Sequence, residues 1–134
     1  MRGQAAFEYL SIFSIVLLLS LVLSMYSGQI TVRNREDMRV SNTINAVERI
    51  AEAANIVSTQ GKPSQITLSV YIPEEIQSIT IANKTVLMKV KLASGISDIF
   101  AVSKSNLQGH ISNTTGTKSI KIIAEGSYVN ITEG

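Results

Sequence analysis

Glu8 is the single charged residue in a 22-residue run, Ala5 to Tyr26, that is otherwise apolar or hydroxylic. A carboxylate in such a setting is costly in lipid and normally has a partner or a function. The other groups able to do chemistry are dispersed. His110 is the only histidine, and although the chain has 27 Ser and Thr residues, none sits in a glycine-flanked nucleophile elbow with an acid at motif spacing. A solitary histidine of this kind reads as solvated. Glu74 and Glu75 are adjacent, so on an extended chain they point to opposite sides and read as turn polarity rather than as an acid/base pair. With no cysteine there is no disulfide, thiolate metal site or cysteine nucleophile. No P-loop or dinucleotide fingerprint occurs, and His and Asp are too few for a transition-metal cluster. The expectation is a protein without catalytic, cofactor or metal residues.

Partners are limited by the same inventory. A net charge of +2, with Lys and Arg interspersed among Asp and Glu, provides no basic tract for nucleic acid. The seven aromatics include Phe7, Tyr9 and Phe13 near the N-terminus, which leaves little for a base-stacking platform. Three Asn-x-Ser/Thr triplets stand at Asn83, Asn113 and Asn130. They are candidate N-glycosylation sites, which would belong on an exported surface, and equally they are turn and strand-end polar residues.

The elements that must position these residues follow from periodicity. Ala5 to Tyr26 would make about 33 Å of helix at about 1.5 Å per residue, enough to span a bilayer core. It is longer than the apolar part of a secretory signal peptide, and its exit lacks a small-x-small cleavage pattern. Beyond Ser27-Gly28, a possible kink, apolar residues recur at Val40, Ile44, Val47, Ile50, Ala51, Ala54 and Val57, the spacing of one helical face. Gly61 and Pro63 end the helix. The period then changes to two. Ile66, Leu68, Val70 and Ile72 read as one strand, and residues 78–92 as a hairpin turning at Asn83-Lys84. Ile99 to Val102 and Leu107 to Ile111 are shorter candidates, and residues 119–131 a closing hairpin turning at Glu125-Gly126. The expected fold class is α+β: a long N-terminal hydrophobic helix over 4–60, with an apolar part at 4–27 and an amphipathic part at 28–60. A small antiparallel β-sheet or sandwich head over 65–134 is expected to pack on the helix's C-terminal half.

Gly3-Gln4, with Glu8 at the fifth position after the glycine and Tyr9 at the sixth, stands immediately before this long apolar run. This closely resembles the class III signal peptide of archaeal type IV pilins. The resemblance is a sequence motif over residues 1–26 and architectural beyond them. It implies a leader of residues 1–3, cut by a prepilin peptidase between Gly3 and Gln4, and a new Gln4 amine that pairs with Glu8 during assembly. It implies a membrane-anchored precursor, an assembly ATPase and a membrane platform protein. The product would be an extracellular filament serving adhesion or cell contact, self-assembled through the hydrophobic helix.

Two other readings of the same residues stand beside it. One is a monomeric membrane-anchored β-domain binding module, which has no need of Gly3-Gln4 with Glu8. The other is a minor pilin-like component of a secretion or uptake machine. On orientation, Arg33, Arg35 and Arg39 follow the span whereas Arg2 alone precedes it. Counted by itself this bias places the β part on the cytoplasmic side, whereas the resemblance implies the outside.

Overall fold

A computed structural model describes residues 2–134; Met1, part of the expected leader, lies outside the described residues. The element order is one helix and five strands: α1 (Arg2–Gln60), β1 (Gln65–Ile72), β2 (Ile76–Leu92), β3 (Gly95–His110), β4 (Gly116–Ala124) and β5 (Tyr128–Glu133). Helical hydrogen bonding passes through Ser27-Gly28 without a break. It stops where Gly61 takes φ 73° and its N–H reaches the Val57 carbonyl at 3.0 Å, a left-handed C-cap. The chain divides into two compact units, Met1–Asp37 and Met38–Gly134.

Within Met38–Gly134 the C-terminal half of α1 packs on one face of a single five-stranded sheet of order β1-β4-β5-β3-β2. The core joins Ala46, Val47, Ile50, Ala54 and Val57 of the helix to alternate residues of the strands, among them Val70, Ile72, Val86, Met88, Val90, Ile120, Ile122 and Ile131. Helix period and strand period thus meet in one apolar layer. Ile44 is not part of it, being 39% exposed, while Thr43 one residue earlier is buried and donates to the Arg39 carbonyl at 2.8 Å. The buried stripe is centred one residue from where Ile44 would put it, with Ala46 and Ala53 allowing close approach.

Three strand expectations are corrected. Asn83-Lys84 is not a hairpin turn: β2 runs unbroken for 17 residues. The apolar positions do change parity, from Ile79 and Ile81 to Val86, Met88 and Val90, but an irregularity within the strand accomplishes this. Asn83 lies there at φ 56°, a left-handed conformation that asparagine tolerates better than most residues. Next, Ile99–Val102 and Leu107–Ile111 belong to one continuous β3, with Ile111 just past its end. The two ladders meet at the same irregularity, where partners step from Asn83↔Leu107 to Thr85↔Val102 and four residues of β3 face one of β2. Finally, the sheet is single and mixed rather than an antiparallel sheet or a sandwich. β5 returns from the hairpin with β4 to lie parallel to β3 over Asn106–His110.

That parallel contact is close. Gly109 has φ 145°, and a Cβ there would stand 1.9 Å from the Ile131 carbonyl oxygen. Only glycine fits.

Candidate functional site

In the Met1–Asp37 unit the described side chains are exposed almost throughout, including Phe7, Leu10, Phe13, Leu17, Leu18, Leu21 and Val22. None of the best apolar window of this helix is covered, and the helix is long and apolar enough to cross a membrane by length and composition. Two of its serine hydroxyls are satisfied within the helix, Ser11 donating to the Phe7 carbonyl at 2.9 Å and Ser14 to the Leu10 carbonyl at 2.7 Å.

Glu8 has no such internal satisfaction. It is exposed, and it makes no ion pair among the described residues. Gln4 lies one turn before it on the same face, and side chains on a helix lean toward its N-terminus. Gly3 has nothing within 4 Å of the place where a Cβ would be, so the Gly3-Gln4 junction is open on its side-chain side. The structure therefore sets the junction and the carboxylate one helical turn apart on an uncovered surface.

The three sequons occupy different surroundings. Asn83 is exposed at the β2 irregularity. Asn113 is exposed in the segment between β3 and β4, but its amide nitrogen donates to the carbonyls of Gln77 at 2.9 Å and Ile76 at 3.4 Å. Asn130 is half-buried on β5, an interior strand of the sheet, where it stands opposite Gln108 and Ile123.

Compared with family models, curated proteins and solved structures, the chain matches none. What it is for must be read from its own residues.

No acid/base site is assembled from the sequence candidates. His110 is exposed at the end of β3, opposite Thr132. Glu74 and Glu75 lie in the β1–β2 turn, where the Glu75 carbonyl accepts from the Lys91 N–H at 2.9 Å. Among the described residues no three of His, Cys, Asp and Glu come together as a metal site. A surface cleft of about 380 Å³ beside the irregularity is lined by Ile81, Ala82, Asn83, Asn106, Leu107, Gln108 and Gly109, with amides but no ionisable group.

Two polar clusters escaped sequence reading. Asn55 of α1 accepts through Oδ1 from Ser103 Oγ at 2.8 Å and from the Lys104 N–H at 2.7 Å; Ser58 hydrogen-bonds Ser105. Together they tie the irregular part of β3 to the helix and satisfy a backbone donor that lost its ladder partner. The second cluster is Lys118, only 8% exposed, whose ammonium donates to Glu133 at 2.7 Å, to Thr114 at 2.7 Å and to Ser112. Ser112 also reaches Glu133 through its hydroxyl at 2.7 Å and its N–H at 3.0 Å. The Lys118 ammonium, aided by Ser112, holds the Glu133 carboxyl down at about 2. This cluster fastens the β3–β4 connection to the last strand. Its hydrogen bonds run among its own members.

Proposed function

We propose that this chain is the structural subunit of an extracellular type IV pilus-like filament, processed between Gly3 and Gln4 and polymerised through its apolar helix. One observation carries the reading: a membrane-length apolar helix surface with no covering, broken by one carboxylate set a turn from the Gly3-Gln4 junction. In the membrane, lipid covers that surface. In a filament, the same side chains of neighbouring copies cover it, each buried Leu or Ile contributing about 1.5–3 kcal/mol relative to water.

Glu8 accounts for the exchange between the two. Its charge is unfavourable in lipid, and cleavage would create an α-amine on Gln4, of its own chain or a neighbour, able to pair with it. In a low-dielectric surround that attraction exceeds its value in water severalfold. The lone carboxylate therefore favours entry of a cleaved subunit in one register. A peptidase, an assembly ATPase and a membrane platform protein complete this proposal, with adhesion or cell contact as the filament's use. The Met38–Gly134 unit, whose exposed sequon Asn83 is the most open of the three to glycosylation, would form the outer surface.

The test is the N-terminal residue and mass of the protein in material sheared from the cell surface. Expected is a chain beginning at Gln4, present as fibres and lost from the sheared fraction in Glu8→Ala, while the variant remains in the membrane. An intact Met1 chain confined to membranes would instead identify a monomeric anchored module.

A further inference from the structure

The face of the sheet turned away from α1 gathers carboxamides at one place. On β3, Leu107 turns inward to the core, so Asn106 and Gln108 on either side of it point outward, and both are exposed. Asn83 of β2 is the register partner of Leu107 and therefore stands across from the gap between the two. On the other side β5 sets Tyr128 beside Asn106 and Asn130 beside Gln108, again outward, because Val129 and Ile131 enter the core. Residues two apart on a strand are separated by about 7 Å and neighbouring strands by about 5 Å, so four carboxamides and one phenol frame an area the size of a sugar ring. The surface cleft of about 380 Å³ lies between Asn83 on one strand and Asn106 and Gln108 on the next. That volume stands at the small end of the range of about 300–1,000 Å³ typical of ligand clefts.

The ligand chemistry follows from what these side chains have left to offer. Other carboxamides of this unit are tied down: Asn55 accepts from Ser103 and Lys104, Asn113 donates to Gln77, and Gln60 accepts from Ser64. Asn83, Asn106, Gln108 and Asn130 make no side-chain hydrogen bond among the described residues. Each carboxamide presents one carbonyl acceptor and two N–H donors, which suits neighbouring hydroxyls that both donate and accept. No charged side chain lines the cleft, so an ion would lose hydration there without a counter-charge. Lys84, Lys104 and His110 come within two residues of these amides in sequence but do not line it. Tyr128, half-buried at the edge, supplies an apolar ring with a polar tip, fitted to the C–H face of a sugar.

We propose that this cleft binds one ring of a neutral saccharide, with Asn106 and Gln108 holding its hydroxyls and Tyr128 flanking it. The site lies wholly within the Met38–Gly134 unit, which has its own core, so binding does not depend on assembly. Only its use in cell contact rests on the filament reading. Two sources supply such a ring: a polysaccharide on another cell, or a glycan attached to Asn83, which borders the cleft and begins the sequon Asn83-Lys84-Thr85.

The experiment titrates maltotriose, cellotriose, mannotriose and an N-acetylglucosamine trimer into the isotope-labelled full chain in detergent, made in a host that adds no N-glycans. At least one of them should saturably shift the side-chain amide resonances of Asn83, Asn106, Gln108 and Asn130, with Kd in the millimolar range expected of an open, uncharged cleft, and leave those of Asn113 in place. Asn106→Ala/Gln108→Ala should weaken binding about tenfold or more at an unchanged unfolding midpoint, both side chains being exposed. Gln77→Ala, exposed and outside the cleft, should bind as wild type does. No saturable shift with any of the four saccharides, or binding indifferent to Asn106→Ala/Gln108→Ala, would overturn the site. So would a galacturonic acid trimer bound more tightly than all four, which would place recognition on the lysines beyond the cleft. Chain isolated from its own cells then separates the two sources, because Thr85→Ala removes the acceptor motif and keeps Asn83. Material that binds saccharide only after this change carries its own ring in the cleft; material that binds equally before and after it takes the ring from elsewhere. A chain that binds saccharide but never appears as fibres keeps this site and loses the filament reading, and fibres of a chain that binds none do the reverse.

Discussion

Lys118 shows what one residue costs and contributes in this molecule. β4 places Lys118, Ile120, Ile122 and Ala124 on the inward face, so the ammonium enters the apolar layer at its rim, where Glu133, Ser112 and Thr114 meet it. That inward position was missed by a hairpin beginning at Ser119, although Lys118 stands two residues before Ile120 in an alternating run and so was open to reading. Its partners were not, because Glu133 lies 15 residues away on a strand whose place depends on the whole sheet. Asn55 was hidden for a related reason: a half-buried polar residue on a helix looks like surface until the strand opposite it is known to be irregular. The Lys118–Glu133 contact predicts a pH dependence. The Glu133 carboxyl, ordinarily near 4.5, is lowered to about 2 in the folded chain by Lys118 and Ser112. Its stabilisation is therefore fully present above about 4.5 and is lost as pH falls through about 2. Thermal unfolding of the detergent-solubilised chain should show a midpoint that drops as pH falls through this window, and Glu133→Gln should lower the midpoint at neutral pH and flatten the drop. Equal slopes in the two proteins would show that the pair does not govern acid stability.

At the scale of elements, the clearest reading was the strand β1, whose alternation is uninterrupted, and the helix end, where Gly61 stops an otherwise continuous pattern. The hairpin at Asn83-Lys84 failed for a specific physical reason. A change of parity between Ile81 and Val86 requires the chain either to reverse or to insert an irregular residue, and both solutions favour asparagine in a left-handed conformation. Local sequence does not distinguish them; the length of β3 opposite does. The parallel β3–β5 contact was equally invisible, because it depends on where the β4–β5 hairpin lands. It leaves one sharp residue signature, Gly109. Gly109→Ala would both require a positive φ of an L-residue and drive Cβ into the Ile131 carbonyl oxygen. A loss of about 3 kcal/mol or more is expected, from about 1–3 kcal/mol of backbone strain with the steric displacement of β5 added. The check is chemical unfolding of the variant in detergent, alongside Gly95→Ala, which shares the positive φ but has nothing within 4 Å of its Cβ position. If the two substitutions cost the same, the strain of φ alone explains both, and the close approach to β5 contributes nothing.

For the molecule as a whole, the governing fact is that its two units satisfy opposite demands. The buried cluster begins at Ala46 and closes with Ile131, so the Met38–Gly134 unit has its own core. The Met1–Asp37 unit has no core among its described residues and depends on what surrounds it. The sequence, whose 22-residue apolar run and alternating strand pattern are signals of different kinds, places an apolar part at 4–27, an amphipathic part at 28–60 and a β head at 65–134, whereas the compact units divide between Asp37 and Met38. It follows that insertion and folding should respond to different substitutions. Leu17→Asp places a carboxylate near the centre of the apolar run, where insertion scales assign about 2.5–3.5 kcal/mol. It should move protein out of the membrane fraction, while the unfolding midpoint of the β unit stays at the wild-type value, since the core cluster contains no residue before Ala46. Glu8→Ala acts in the reverse direction on insertion, removing a charge from lipid, and on the proposed filament reading should nevertheless lose the filament. A variant that inserts more easily and assembles less well would separate the lipid-facing demand on this helix from the subunit-facing one. If Glu8→Ala and Leu17→Asp instead fail together at insertion, Glu8 serves the anchor itself and its carboxylate has no separate part in assembly.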